Sequence, residues 1–373
     1  VNGSVGSSDG KRTKVLDSAT RLHLPGLTSS EFRQTVLGWG WEPFRAAQVG
    51  NWVYQKLETD PARMSNLGLP YRRELADRVS VMTSRIAADQ RSTDGTIKLL
   101  LDWQDGAAAE TVMIPDGRRR TACVSSQVGC PVGCRFCASG IEGVKGNLTP
   151  GRIVEQILAL NLAMSGTGER ITHVVFMGMG EPLANYASVM QAVRVIHDPQ
   201  CLNIGARRIT ISTVGVPRRM RELADEALPL NLAISLHAPK EDLRPQLIPW
   251  AEHFSISEIL SAAREYFEKT GREVTFEYIL LAGVNDRPEH ARELARLCKT
   301  VRANVNLLRY NPVEGLPYER PDVRSAMSFQ EILRSAHVNV HIRKSRGRDI
   351  DAACGQLRRK NPVVVPLTTT KSG

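Results

Sequence analysis

The chain has 373 residues, of which 42% are apolar and 24% charged, with a formal net charge of +10 and a pI of about 9.4. That length can bury a large core and the composition is that of an ordinary globular protein, which excludes fibrous and low-complexity classes. No apolar run approaches the roughly 20 residues that span a bilayer. The opening stretch Val1-Asn2-Gly3-Ser4-Val5-Gly6-Ser7-Ser8-Asp9-Gly10 lacks the apolar segment of a secretion signal, so the expectation is a cytoplasmic protein with no membrane partner. Seven cysteines in such a chain read as ligands, catalysts or core residues rather than a disulfide framework. The positive surplus suits a polyanion, because Lys and Arg displace counterions from a phosphate backbone, although the same charge also serves solubility.

In chain order, residues 1–18 are rich in Gly, Ser and Lys and are expected to form a disordered tail. Residues 19–90 read as a small helical accessory domain. Ser30 is expected to cap one helix through Phe32, Val36 and Leu37, and Pro43 to open a second carrying Phe44, Val49, Trp52, Val53 and Leu57. Arg33, Arg45, Lys56, Arg63, Arg72 and Arg73 among them fit an RNA-facing surface or a solvated basic face. Residues 91–120 change period. Ile97 to Trp103, a turn at Asp105-Gly106 and the run to Pro115 predict a β-hairpin.

From 121 to 357 the pattern alternates. β-branched apolar runs near 121–126, 173–178, 208–213, 231–237, 274–281 and 304–310 are separated by helical patterns. The clearest helix begins at Thr149-Pro150, a cap followed by proline at the first helical position, and continues with Ile153, Ile157, Leu160 and Met164 on one face. Another spans about 286–301, with Leu294, Leu297, Cys298 and Val301 facing inward. Six strands alternating with helices predict an α/β fold, a partial (βα)6 TIM-like barrel, with chemistry at the C-terminal ends of its strands. Val338 to Ile342 offers one extra strand, and residues 358–373 form a C-terminal tail.

Cys130, Cys134 and Cys137 follow the first of these strands with C-x3-C-x2-C spacing, and Phe136 precedes the last. Three thiolates can hold three irons of a [4Fe-4S] cluster and leave the fourth open to a ligand. The competing reading is a structural zinc site that adds Cys123, but zinc usually takes paired C-x2-C motifs across a longer spacer. Gly178-Met179-Gly180-Glu181 ends a predicted strand, where small residues admit a ligand close to the backbone and Glu181 can accept a hydrogen bond from an amine. Ser212, Ser235, Leu236, His237 and Asn311 fall at or just after strand ends. Taken alone, His237 reads equally as a satisfied core histidine and Asn311 as a loop residue before Pro312. Cys354 sits in a polar loop, Asp349 to Leu357, behind the basic lead-in Arg343, Lys344, Arg346 and Arg348. Cys298 fits a buried helix face, and Cys201 has no chemical context.

The cysteine motif resembles that of the radical S-adenosylmethionine (SAM) enzymes. The blocks Cys123 to Cys130, Phe176 to Leu183, Ser212 to Gly215, Ile234 to Pro239 and Asp349 to Leu357, in this order, resemble the RlmN/Cfr family of radical SAM RNA adenine methyltransferases across roughly residues 30–357. The resemblance implies a [4Fe-4S] cluster on Cys130, Cys134 and Cys137. It implies SAM held by Gly180, Glu181, Ser212, Ser235, Leu236, His237 and Asn311. It gives Cys354 the role of a methyl-carrying residue that becomes joined to the RNA base. Cys123 resolves that adduct by disulfide formation, and Glu110, otherwise an ordinary solvent-facing strand carboxylate, serves as the acid/base residue. Carbon 2 of adenine is electron-poor and cannot attack SAM directly. The implied route therefore methylates Cys354 by polar transfer, then removes a hydrogen from that methyl with a 5′-deoxyadenosyl radical, and the resulting carbon radical adds to the ring. The implied substrates are adenosine in 23S rRNA and the adenosine beside the tRNA anticodon, with an external electron donor such as flavodoxin and a monomeric enzyme. The alternatives are the carbon-8 branch, which confers antibiotic resistance and shares these motifs, and a radical SAM enzyme on a non-RNA substrate. The full N-terminal module and the Lys344 to Asp349 lead-in favour carbon 2, although Arg348 stands where carbon-2 relatives often carry an acid.

Overall fold

The computed structural model describes residues 21–358, and the expected tails at 1–18 and beyond 358 lie outside the described residues. Ten strands make one sheet whose spatial order follows the chain. β1 (Ser84–Arg91), β2 (Ile97–Trp103), β3 (Ala108–Asp116) and β4 (Arg119–Cys123) pair antiparallel in succession. β5 (His173–Phe176), β6 (Ile209–Thr213), β7 (Asn231–Ser235), β8 (Val274–Leu280), β9 (Ala303–Arg309) and β10 (Val340–Arg343) then continue from β4 in parallel. The six expected strands are β4 to β9, and the extra strand at 338–342 is β10. The antiparallel meander therefore extends the barrel sheet rather than standing apart from it.

Helices cross over between the parallel strands. α4 (Pro150–Ala163) starts as the sequence predicts, with Thr149 Oγ1 accepting from Arg152 N at 3.3 Å and Pro150 at the first position. α5 (Tyr186–His197), α6 (Pro217–Ala224), α7 (Ile256–Thr270), α8 (Pro288–Cys298) and α9 (Val323–Ser335) follow. Before the sheet come α1 (Ser29–Gly38), α2 (Phe44–Gly50) and α3 (Leu69–Arg78).

The N-terminal region departs from its sequence reading in three ways. It is not wholly helical: Leu22–His23 pairs with Val79–Ser80, and β1 begins at Ser84. β1 is an edge strand with mostly half-exposed or exposed side chains, so no apolar alternation marks it. Thr28, not Ser30, caps α1: its side chain accepts from Glu31 N, and Glu31 Oε2 accepts from Thr28 N at 2.7 Å. Leu37 and Phe44 are exposed rather than core. The basic residues also divide. Arg72 donates to the carbonyls of Leu67 and Ala62, which is a structural task. Arg45 stacks on Phe44 and Tyr71 at 4.6 and 4.5 Å, Lys56 lies over Trp52, and Arg33 and Arg73 are exposed.

One buried carboxylate joins this region to the barrel. Glu155 on α4 is fully buried and accepts from Thr83 N and Ser84 N at 2.6 Å, from both their hydroxyls at 2.8 Å and from Trp103 Nε1 at 3.2 Å. His23 Nε2 lies 3.4 Å away. Burial pushes its pKa up, but the bonds from His23, Ser84 and Thr83 outweigh burial and hold it at about 2. The stability this depression contributes is complete above the ordinary value of 4.5 and is lost as pH falls towards 2. Glu155→Gln keeps the shape but swaps an acceptor oxygen for a donor. It is expected to lower the unfolding free energy by about 3 kcal/mol, read from the urea midpoint, and an unchanged midpoint contradicts this role.

Candidate active site

The C-terminal ends of the parallel strands surround two adjoining cavities of about 360 and 160 Å³. The smaller is lined by Cys130, Cys134 and Cys137 together with Gly180, Glu181, Ser212, Ser235 and His237. The larger holds Cys123 and Asn311. Cys137, Gly178, Arg343 and Cys354 border both.

A short hydrogen-bonded frame positions the wall between β4 and β5. Gln156 on α4 holds both backbone groups of Ser125, at 2.8 and 2.9 Å. Ser125 Oγ donates to Glu110 O at 2.6 Å and accepts from Met179 N at 2.9 Å. Gln127 Oε1 accepts from Glu181 N, and Asn185 Nδ2 donates to the carbonyls of Ser126 and Leu148. This packing explains the small residues. A Cβ on Gly178 would lie 2.7 Å from Ser125 Oγ and 2.8 Å from backbone atoms of residues 124 and 125. Gly180 has φ +107, and a Cβ there would meet Ser126 Oγ at 2.6 Å.

The three-cysteine loop packs against a small apolar cluster that includes Val132, Phe136, Leu247 and Ile248. Burial drives all three thiols up, Cys130 to about 12. Cys130 and Cys137 raise Cys134 further, while backbone N–H groups of Val132 and Gly180 on Cys130, and of Ser139 and Gly140 on Cys137, favour the thiolates. Three dehydrated thiolates without a cation repel one another, whereas iron removes that penalty and the N–H donors match cluster sulfur ligands. The donor set therefore fits an iron–sulfur cluster. Among the described residues no three His, Cys, Asp or Glu side chains group as ligands of one metal ion. Cys123, the fourth ligand of the zinc alternative, lines the larger cavity and not the one that holds Cys130 and Cys134.

The polar residues around the smaller cavity have defined states. Glu181 Oε1 accepts from Leu183 N and Oε2 from Val214 N, at 2.9 and 2.8 Å. Burial still lifts its pKa to about 7, against the opposing hydrogen bonds from Val214, Leu183 and the Thr213 side chain. His237 has φ +57, and its Nδ1 accepts from Ile279 N at 3.1 Å. Burial and then the Arg244 charge lower its pKa to about 3, so the ring is neutral with its proton on Nε2. Leu236 contributes no side chain to either cavity. Its N–H and carbonyl instead bond Glu277 O and Arg244 Nε. Asn311 lines the adjoining larger cavity: its Nδ2 reaches Cys354 O at 3.3 Å and its Oδ1 accepts from Arg320.

Cys123 and Cys354, 231 positions apart in the chain, border the same cavity. Burial raises both thiols, Cys123 to about 12, and each is eased downward by the Arg343 guanidinium. Glu110 is buried, not solvent-facing. Its Oε1 lies 3.3 Å from Lys98 Nζ and its Oε2 accepts from Arg358 N at 2.7 Å. Burial raises its pKa against the opposing pull of Lys98. The charged partners Lys98, Arg244 and Glu277 carried no sequence signal, and Arg343 read only as part of a basic run. Arg244 is the most buried of them, and it ties the carbonyls of Val214 and Leu236 at 2.6 and 3.2 Å.

Residues 124–297 match the family model of the radical SAM superfamily, and residues 22–81 match the ribosomal RNA large subunit methyltransferase N-terminal domain. A probable dual-specificity RNA methyltransferase RlmN 2 of Protochlamydia amoebophila is 47% identical over 85% of this chain and 89% of its own length. A probable RlmN of Symbiobacterium thermophilum is also 47% identical, over 91% of this chain and 92% of its own. The chain belongs to the RlmN family. The solved structure of a radical SAM methyltransferase from Sphaerobacter thermophilus superposes with a TM-score of 0.88 at 42% identity, over 90% of this chain and 99% of that one. RlmN membership makes this a radical SAM RNA methyltransferase. Among the described residues no helix is long and apolar enough to cross a membrane.

The glycine packing yields a direct test. Gly178→Ala and Gly180→Ala each force backbone to move, at about 1–3 kcal/mol, so SAM affinity measured by calorimetry is expected to fall about tenfold or more. Wild-type affinity in both variants contradicts the placement of SAM against this strand end.

Proposed function

We propose that this RNA methyltransferase methylates carbon 2 of an adenosine in 23S rRNA, and of the adenosine beside the tRNA anticodon, by way of methylated Cys354. The observation that carries this reading is the shared cavity: two thiols far apart in sequence border one space next to the three-cysteine loop. A conventional methyltransferase needs neither thiol.

Cys130, Cys134 and Cys137 would hold the [4Fe-4S] cluster through their three thiolates. When bound, the cluster and SAM supply a methyl group and the one-electron chemistry that breaks a C–H bond. Glu181 and the neutral His237, a donor through Nε2, orient the ligand from the smaller cavity. Arg343, which borders both cavities, favours the thiolate of Cys354 while it accepts a methyl. Once the methylene carbon is joined to the base, the Glu110 carboxylate takes the proton from ring carbon 2, and the odd electron left by radical addition would pass to the cluster as one-electron acceptor. The Cys123 thiolate then attacks the Cys354 sulfur. A disulfide forms, the sulfur–carbon bond breaks, and its electron pair and a proton complete the methyl group. Burial of Glu110, Cys123, Glu181 and His237 keeps water from these groups during the reaction. The basic N-terminal region, with Arg33, Arg73 and the stacked Arg45, receives RNA phosphates. The enzyme acts as a monomer and draws electrons from an external donor of the flavodoxin type.

Mass spectrometry of RNA incubated with reconstituted enzyme, SAM and reductant tests the reading. The expected result is one methyl on adenine carbon 2 with wild-type protein and none with Cys354→Ala. Methyl on carbon 8, or full activity of Cys354→Ala, overturns it. Cys123→Ala is expected to leave protein joined to RNA through Cys354, seen as a band that survives denaturant, and a clean release of product contradicts the resolving role.

A further inference from the structure

Lys98 is a buried lysine on β2 with no task in the chemistry above. It lines neither cavity. Its side chain is 8% exposed, and a lysine so dehydrated is stable only with firm partners. It has two. Nζ stands 3.3 Å from Glu110 Oε1 and donates to Asp351 O at 3.2 Å. The first partner is the acid/base residue. The second is backbone of the loop that carries Cys354.

That loop is moored to the antiparallel extension at several further points. Gly347 N donates to Asp94 Oδ2 at 3.0 Å, and Asp349 accepts from Ser92 Oγ at 2.6 Å and from Thr93 N at 3.2 Å. Gly347 has φ +62, and a Cβ there would lie 2.8 Å from both Thr96 and Ala352 side-chain atoms, so the seat is close-fitting. At the far end Arg358 N occupies Glu110 Oε2. The opposite wall holds the loop through Ala138 N to Gly355 O at 2.8 Å and Ser139 Oγ to Leu357 O at 2.7 Å.

We propose that Lys98 is a positioning residue that couples the seating of the Cys354 loop to the readiness of Glu110 to take a proton. With the loop seated, one Glu110 oxygen faces Lys98 and the other is taken by the Arg358 amide. Displacement of the loop, as the base and the methylated cysteine meet, withdraws that amide and frees Oε2 for the proton. Lys98 stays beside Oε1 and keeps the carboxylate ionised until then. The charges that act on Glu110 are Lys98 from β2 and Asp351 from the loop, of opposite sign. The inference rests on the reading of Glu110 as the acid/base residue.

The test uses reconstituted enzyme with 23S rRNA, SAM and reductant. Two readouts are followed: the pH dependence of turnover and amide hydrogen exchange over residues 347–358. Loss of the Lys98 charge favours the protonated carboxyl, so the acid limb of the profile moves to higher pH. Lys98→Met is expected to raise that limb by about one pH unit, and to speed loop exchange about tenfold as the bond to Asp351 disappears. Lys98→Arg is expected to restore the limb to within about half a unit, because the charge is kept. A wild-type limb or wild-type exchange in Lys98→Met overturns the inference. Should that variant fail to fold, Lys98→Met with Glu110→Gln removes both charges, and its loop must exchange faster than in Glu110→Gln alone. Equal exchange overturns the coupling. Wild-type turnover of Glu110→Gln is a different result: it removes the acid/base assignment while the exchange comparison still decides whether Lys98 moors the loop.

Discussion

Desolvation of sulfur is the constraint around which this molecule is arranged. Five thiols border two joined cavities at the strand ends, and burial works against the ionised form of every one. Nucleophilic or metal-binding sulfur must be thiolate. The chain therefore needs compensating positive charge at each place where sulfur acts. Arg343 supplies it for Cys123 and Cys354, and Arg244 eases Cys134 from the side of the three-cysteine loop. These cations are too few to neutralise three clustered thiolates, and an iron–sulfur cluster held there would complete the balance.

The rest of the fold serves to bring those sulfurs together from distant parts of the chain. The parallel sheet delivers Gly178, Ser212, Ser235 and Leu308 to one rim, because strands in register end at one level. The frame of Gln156, Ser125 and Met179 then presses the strand-end glycines against the cavity wall. The antiparallel extension adds a second face, on which Glu110 and Lys98 meet the loop after β10. Through Glu155 the same extension is fastened to α4, so the N-terminal region and the barrel share one buried joint. Placement of Glu110 and of the chain entering β1 thus leans on a carboxylate outside both cavities.

Periodicity made the barrel legible. All six barrel strands and the extra one at 338–342 occur, and the Thr149-Pro150 start of α4 has the predicted cap. The edge strand β1 was not legible, since an exposed edge needs no apolar alternation. The cap of α1 was legible but misread: Thr28 and Glu31 form the reciprocal pair three residues apart, and Ser30 lies inside the helix. At the site, spacing pointed to Cys130, Cys134 and Cys137, whereas the roles of Cys123, Cys354 and Glu110 came from resemblance. Leu236 and Asn311 show that position at a strand end says little of where a side chain goes. Leu236 buries its side chain in the core and leaves its backbone groups to bond, and Asn311 turns towards Cys354. Lys98, Arg244 and Glu277 were silent because a buried charge is identified by its partner, and those partners lie on other elements, where no local pattern marks them.

The central claim is that three cysteines hold three irons of a four-iron cluster and the fourth is left for SAM. Mössbauer spectroscopy of anaerobically reconstituted, iron-57-labelled protein tests it most directly. The account predicts a [4Fe-4S] signature in which one iron of four changes its isomer shift when SAM is added. Four irons indifferent to SAM, or a protein that binds zinc and no iron, would contradict it.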